Sequence, residues 1–195
     1  MKMILIRHGQ TEWNALQKYQ GHTDVHLNEL GRKQAATAAQ YLKDHETIEA
    51  VYASDLSRTR ETAEILGRSI NLPVITDSRL RELSFGLWEG MTFNEVYKEY
   101  REEFDNWYNN TSEFKVPGGE SFNELVTRAM QALREITAKH SGTVVVATHG
   151  GVIMAVLYHL GVTSGLWQSG VKPGSISSFE FNEENIQSLQ IGLCL

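Results

Sequence analysis

Six side chains that could act together on a phosphate group stand at or just after the ends of apolar runs. They are two guanidiniums, two imidazoles, a carboxyl and an amide, in chain order Arg7, His8, Asn14, Arg58, Glu82 and His149. Guanidinium groups match phosphate oxygens in bidentate geometry and stay charged at neutral pH. Glycines beside both histidines, Gly9 and Gly150, would let backbone N–H groups approach an anion, and a helix beginning near Gly151 would point its positive end there. The set favours a bound phosphate.

His8 is the better nucleophile candidate of the two histidines. An imidazole can accept a phosphoryl group if one ring nitrogen is free and the other is held by a hydrogen bond. His8 lies between Arg7 and Gly9, where the arginine can neutralise the incoming phosphate. Attack leaves an alkoxide that needs a proton, and Glu82 is the natural donor, because a phosphate dianion and partial burial would favour its protonated form. Water would then hydrolyse the phosphohistidine with Glu82 acting as base.

Short apolar runs that alternate with helical patterns indicate how these residues meet. Strands are predicted at 3–6, 50–53, 74–76 and 143–147, with a final strand pair at 176–181 and 186–191 around an Asn182–Asn185 turn. Five helices are predicted. The first begins after an Asn28 cap and runs to about 44, the second follows a Ser54-Asp55 cap, and the third covers 93–107. The fourth follows a Ser121/Glu124 capping box, and the fifth runs from 151 to about 160 and ends at Gly161.

This pattern predicts an α/β fold, a single domain over residues 1–195. We expect a three-layer sandwich with a mostly parallel central sheet, helices on both faces and a small helical cap. In such folds ligands bind beyond the carboxyl ends of the strands, where both histidines are expected. Residues 92–116 are the expected cap insertion. Their aromatic side chains could pack on an apolar or sugar-like leaving group, although their helical spacing favours core packing.

The composition narrows the class of protein. The chain has 195 residues, 41% of them hydrophobic, and a net charge of −6. An acidic chain without a basic stripe argues against a nucleic-acid partner, and no run is long enough for a membrane span. The lone Cys194 cannot form an internal disulfide, and no signal peptide is visible, so a cytoplasmic location is expected. The expected partner is a small phosphorylated metabolite, and a homodimer is left open.

A set of motifs in fixed order resembles the histidine phosphatase superfamily, in its cofactor-dependent phosphoglycerate mutase branch. They are LIRHGQTEWN at 5–14, QGHTD at 20–24, Leu27 with Gly31, SDLSRTRETA at 54–63, LRELSFGLWEG at 80–90, PGGES at 117–121 and THG at 148–150. The resemblance covers the chain from Leu5 to about Gly150. One departure is His26, where relatives often have proline, in a loop near the pocket rim.

The resemblance implies a phosphohistidine intermediate at His8 and a proton donor at Glu82. It also implies a phosphate pocket formed by Arg7, Arg58 and His149 with a contribution from Asn14. Gln20 and Gly21 match the family's substrate-side loop, and Gly150 belongs to the last motif. Neither a metal nor a cofactor is implied.

The same site could hydrolyse an ester or move a phosphoryl group between two hydroxyls. A mutase must keep its phosphohistidine away from water, which needs extra cover. The similar glycolytic mutases carry a longer insertion and a C-terminal tail, and the segment at 85–90 looks more like the family's phosphatases, so hydrolysis is favoured. Broad-specificity, α-ribazole and sugar-bisphosphate phosphatases all share this outline, and the sequence does not choose among them.

Other interpretations compete with this one. His22 and His26, four residues apart with Asp24 between them, suggest a metal site, but a loop fixes no ligand geometry. A metal-dependent phosphoesterase would lose activity in chelator. A non-catalytic binding module would lack the nucleophile, the acid or an arginine, and all are present here. Glu89 is expected to be an ordinary solvated carboxylate.

Overall fold

The fold is built on one six-stranded sheet, and the computed structural model describes residues 1–110, 112–161, 170–181 and 186–195. The strands are β1 (Lys2–Arg7), β2 (Ile48–Ala53), β3 (Val74–Thr76), β4 (Thr143–Thr148), β5 (Ile176–Phe181) and β6 (Ile186–Leu193), in the order β3-β2-β4-β1-β5-β6. The pairs among β1 to β4 are parallel, whereas β5 is antiparallel to β1 and β6. The predicted α/β class is therefore confirmed. The turn predicted at Asn182–Asn185 lies outside the described residues.

Seven α-helices are described. They are α1 (Glu12–Ala15), α2 (Glu29–His45), α3 (Ser57–Ile70), α4 (Phe93–Glu99), α5 (Arg101–Asn109), α6 (Phe122–Thr137) and α7 (Gly150–His159), with 3₁₀ turns at Ser78–Leu80 and Gly86–Trp88. Side chains alternate across a strand, so β1 sends Met3 and Leu5 to one face and Ile4 and Ile6 to the other. The first face is covered by α6 and α7 and the second by α2 and α3, which gives the predicted three layers.

The segment predicted as one helix over 93–107 is two helices that meet at Tyr100. Tyr100 has φ −130° and ψ 42°, outside the helical region, and ends α4 while beginning α5. The break lets Val96 of α4 and Phe104 and Trp107 of α5 enter the same buried cluster. The expected core packing holds for those two aromatic residues. It is wrong for Phe93 and Tyr108, which are 50% and 63% exposed, respectively.

The predicted cap of α3 is also wrong. The helix begins at Ser57 after an N-cap residue, Leu56, that supplies no side-chain hydrogen bond. Asp24 takes the capping role from a distant loop, because its carboxylate accepts the Ser57 backbone N–H (2.8 Å) and hydroxyl (2.6 Å). Asp55 cannot do so, since it forms a bidentate ion pair with Arg81 (2.7 and 2.5 Å).

No helix in the described part of the chain combines the length and apolar character needed to cross a bilayer.

Candidate active site

The two histidines meet because their strands are neighbours. In the parallel register of β1 and β4, Arg7 lies opposite Thr148, so His8 and His149 leave adjacent strand ends together. The His8 N–H donates to the Thr148 carbonyl (2.9 Å), and the His8 carbonyl accepts from Gly174 N–H (3.0 Å). The two imidazole rings lie edge to face, with centroids 5.2 Å apart. The convergence expected from the sequence is therefore observed.

The His8 ring is held in one tautomer. Its Nδ1 lies 2.7 Å from the Gly9 carbonyl oxygen, and because a carbonyl only accepts, Nδ1 must carry the hydrogen. The other nitrogen, Nε2, then has a free lone pair in the neutral ring. Burial lowers the pKa of His8 well below its usual value, and the nearby charges of Arg58 and Arg7 lower it further. The imidazole is therefore neutral and nucleophilic at neutral pH.

His149 is fully buried, and neither ring nitrogen has a hydrogen-bond partner within the described structure. A buried polar group without a partner costs roughly 1–3 kcal/mol and calls for an explanation. Burial lowers the pKa of His149 well below its usual value, and the charge of Arg58 lowers it further. A neutral imidazole with unused polar atoms beside His8 is suited to contact a phosphate oxygen.

Arg58 is a fully buried guanidinium held by the loop that follows α1. It donates from Nη2 to the Gly21 carbonyl (2.7 Å) and from Nη1 to the Thr23 carbonyl (3.0 Å). The amide of Gln20, with its nitrogen donating to Thr11, places its oxygen 3.0 Å from Arg58 Nε. Burial lowers the pKa of Arg58 to about 10, against the charge of Glu82, so the group stays cationic at neutral pH.

Arg7 brings a second cation to the end of β1. Its Nη1 donates to the Val171 carbonyl (2.6 Å), while its buried Nε has no hydrogen-bond partner in the described chain. Burial lowers the pKa of Arg7, and the charge of Glu82 raises it. Gly150 is next to this group, since a Cβ there would lie 3.4 Å from Arg7 Cζ. A guanidinium with an unused N–H is available for an anion.

The side chain of Glu82 contacts the N-terminus of α7. Its Oε2 accepts the Gly151 N–H (3.1 Å) and its Oε1 accepts the Leu83 N–H (2.9 Å). The side chain fits only because residue 151 is glycine, since a Cβ at that position would come within 2.2 Å of Glu82 Oε1. Glu82 and His8 line the same cavity.

These residues surround a cavity of about 460 Å³. Its lining includes the predicted residues Arg7, His8, Asn14, Gln20, Glu82 and Gly150. Arg58, His149 and Gly21 lie behind the lining. Gly21 has no room for a side chain, because a Cβ would lie 2.2 Å from Glu89 Oε1. Asn14 forms a capping box with Thr11 through its Oδ1, which leaves the amide N–H groups for a ligand.

Sequence reasoning missed most of the cavity wall. The missed lining residues are Lys18, Tyr19, Leu83, Phe85, Phe122, Leu125, Gly151, Met154, Gly170, Val171, Lys172 and Pro173. Five of them stand within three positions of a predicted residue, so proximity in sequence could have indicated them: Lys18, Tyr19, Leu83, Phe85 and Gly151. The wall from 170 to 173 carries no such signal. In the expected cap, Phe93 lines an adjoining cavity, and the capping role of 92–116 stays a prediction.

The expectation that Glu89 is solvated is wrong. Its carboxylate accepts backbone N–H groups of His22 (2.9 Å), Thr23 (2.7 Å) and Phe85 (3.1 Å) as well as the Thr23 hydroxyl. Burial acts against the charged form, but these hydrogen bonds outweigh it and lower the pKa of Glu89. Glu89 therefore ties the loop at 21–23 to the segment that carries Glu82.

Two of the three residues that suggested a metal, His22 and Asp24, make other contacts. His22 Nε2 donates to the Glu82 carbonyl (2.9 Å), and Asp24 caps α3. Across the described residues, no group of three or more His, Cys, Asp or Glu side chains is arranged to hold a metal ion. The guanidiniums of Arg7 and Arg58 give the site groups that suit an anion.

Comparison with known proteins identifies the family of this chain. The family model of the histidine phosphatase superfamily (branch 1) matches residues 3–193. "Phosphoglycerate mutase-like protein 4" of Arabidopsis thaliana is 42% identical over 158 residues, covering 80% of this chain and 69% of that protein. "Phosphoserine phosphatase 1" of Hydrogenobacter thermophilus is 36% identical over 99% of this chain and 92% of its own length. The solved structure "Bacillus stearothermophilus YhfR" superposes with a TM-score of 0.90 at 31% identity, covering 98% of this chain and 96% of that one. The chain belongs to the histidine phosphatase superfamily (branch 1).

Proposed function

We propose that this protein is a metal-independent phosphatase that hydrolyses small phosphate monoesters through a phosphohistidine at His8. The observation that carries the proposal is the state of the neutral His8 ring. Its Nδ1 donates a hydrogen bond to the Gly9 carbonyl (2.7 Å), which leaves the lone pair of Nε2 free to attack. Two guanidiniums and a carboxyl share its surroundings. The name of the Hydrogenobacter thermophilus relative supports a phosphatase of small metabolites.

In the first step, His8 Nε2 attacks phosphorus and the bond from phosphorus to the ester oxygen breaks. The proton of the Glu82 carboxyl passes to the departing oxygen, so the leaving group departs as an alcohol. Arg7 and Arg58 balance the charge on the phosphoryl oxygens, and His149 and Asn14 donate hydrogen bonds to them. Gln20 and Gly21 act indirectly, because they hold the Arg58 guanidinium.

In the second step, the Glu82 carboxylate takes a proton from a water molecule whose oxygen attacks phosphorus. The bond from phosphorus to Nε2 breaks, which regenerates neutral His8 and releases inorganic phosphate. The low pKa of His8 suits the first step, because a protonated ring could not attack phosphorus. The Gly150 and Gly151 backbone at the start of α7 adds a positive helix end to the same pocket.

The cavity wall limits the leaving group to a small molecule with an apolar portion. Tyr19, Phe85, Phe122, Leu125 and Met154 line the cavity beyond the charged end. A pocket of this size and character is typical of sites for small organic molecules. A cytoplasmic location, a homodimer and a closing movement of 92–116 remain predictions from the sequence.

The test is phosphate release from a panel of monoesters in excess EDTA, with His8→Ala and His45→Ala as variants. The exposed His45 serves as a matched control, since it lies on α2, where it bonds to the Tyr41 carbonyl and stacks on the Tyr41 ring. Release that persists in EDTA, survives in the control and disappears in His8→Ala would support the proposal. Wild-type rates in His8→Ala would refute it. Transfer of label between substrate hydroxyls in place of release would indicate a mutase.

A further inference from the structure

We propose that Arg128, together with its ion-pair partner Glu120, is a positioning residue for the acid Glu82. Arg128 lies on α6 and does not line the cavity. It acts on the backbone of the segment at 79–82, which carries the acid. The inference rests on the role proposed for Glu82 above, and it assigns to α6 a part in the reaction that the cavity wall does not reveal.

Every N–H group of the Arg128 guanidinium is used. Nη1 donates to the carbonyls of Arg79 (2.8 Å) and Arg81 (2.6 Å), and Nη2 donates to the Glu82 carbonyl (2.6 Å). The remaining two donors, on Nη2 and Nε, bind both oxygens of Glu120 (2.8 and 2.9 Å). A guanidinium has five donors in one rigid plane, so this arrangement fixes three carbonyls relative to each other.

Glu120 holds the backbone on the other side of Glu82, at Ser84. Its Oε2 accepts the Ser84 N–H (3.0 Å), and its own N–H donates to the Ser84 carbonyl (3.0 Å). Burial acts against ionisation of Glu120, but the hydrogen bonds from Arg128 and the Ser84 N–H, together with the charge of Arg128, outweigh it and lower the pKa of Glu120. The backbone is therefore held on both sides of the acid, at 79–82 and at 84.

His22 adds a donor from another part of the chain. Its Nε2 lies 2.9 Å from the Glu82 carbonyl oxygen, so this carbonyl accepts hydrogen bonds from both His22 and Arg128. The His22 N–H is in turn bonded to Glu89 (2.9 Å). Because the His22 side chain is 33% exposed, replacing it disturbs the packing less than replacing Arg128 does.

These contacts matter because no regular element carries Glu82. The Ser78–Leu80 turn ends before it, and the backbone then continues in extended form. From this backbone position the Glu82 carboxylate accepts the Gly151 N–H. An acid displaced by about 1 Å loses much of its effect on proton transfer, whereas binding of the phosphate by Arg7 and Arg58 is unaffected.

The experiment compares two esters in Arg128→Lys, with Arg134→Lys, an exposed position on the same helix, as the control. An alkyl phosphate needs a proton on its leaving oxygen, and 4-nitrophenyl phosphate hardly does. We expect kcat for the alkyl ester to fall about thirtyfold and kcat for the aryl ester to change less than about threefold. KM should stay constant for both esters, and Arg134→Lys should behave as wild type.

His22→Phe keeps a ring and removes one N–H from the same carbonyl, so it should show the same selective loss, about threefold to tenfold, in a protein with wild-type melting temperature. Equal losses on both esters in each variant would overturn the positioning role while leaving the phosphatase intact. Unchanged rates on both esters would overturn it as well. Failure of the wild-type protein to release phosphate from either ester would instead overturn the proposed function, and this inference with it.

Discussion

Acidification should destabilise this protein in a pH window set by two buried histidines, His8 and His149. His8 and His149 are buried, and burial lowers both pKa values well below the ordinary 6.5. As pH falls below 6.5, the native state therefore binds fewer protons on these two rings than the unfolded chain does. When the unfolded state binds more protons, the free energy of unfolding falls as pH falls. Stability is full above pH 6.5 and is lost progressively below it.

The loss can be calculated from the ordinary pKa alone. For a ring that stays neutral in the folded protein, moving from pH 7.5 to 5.5 lowers the free energy of unfolding by about 1.4 kcal/mol, so the two rings together lower it by about 2.7 kcal/mol. Carboxylates with lowered pKa values, such as Glu89 and Glu120, add their own losses only as pH approaches their ordinary 4.5. Stopping at pH 5.5 therefore isolates the contribution of the histidines.

Urea denaturation at the two pH values measures this directly. We expect wild-type protein to lose about 2.7 kcal/mol and His149→Gln to lose about half as much, because one of the two rings is gone. The exposed His45→Gln variant should lose as much as wild type. If His149→Gln lost as much as wild type between pH 7.5 and 5.5, the argument that buried neutral rings cause the loss would be refuted.

Three further substitutions test separate contacts. Gly151→Ala should displace Glu82, because the new Cβ would lie 2.2 Å from Oε1, and lower kcat for alkyl esters about a hundredfold, measured by phosphate release; an unchanged rate would contradict this. Asp24→Ala removes the two hydrogen bonds to Ser57 and should lower the free energy of unfolding by about 1 kcal/mol, measured by urea denaturation. An unchanged free energy of unfolding would show that this cap does not stabilise the protein. Arg58→Lys cannot serve two backbone carbonyls and a phosphate together, so KM should rise about tenfold in steady-state kinetics, and an unaltered KM would argue against that role.

The parts of this site that could be predicted depend on short-range pattern and on topology. His8 and His149 could be paired before any coordinates, because both follow buried strands, and the carboxyl ends of neighbouring parallel strands meet at one edge of a sheet. Ser121 and Glu124 likewise predicted the start of α6, since a capping box is local. The Asn28 cap of α2 is another local signal that the structure confirms.

The contacts that escaped prediction join residues far apart in the chain. Arg128 lies on a helix where an arginine would be expected to face solvent, and its partners at 79–82 are more than forty residues away. Asp24 caps a helix 33 residues further on, and Glu89 reaches back 67 residues to His22. Such polar contacts follow no periodic pattern in the sequence, so no sequence pattern predicts them.

The central claim is that a phosphoryl group resides on His8 during turnover, and trapping it is the most direct test. Protein is mixed for milliseconds with a ³²P-labelled monoester in EDTA, quenched in base, and digested for peptide mapping. We expect label on the peptide that contains His8, stable in base and released by acid, and none in His8→Ala. Label on any other residue, or rapid turnover without a labelled protein and unaffected by His8→Ala, would contradict it.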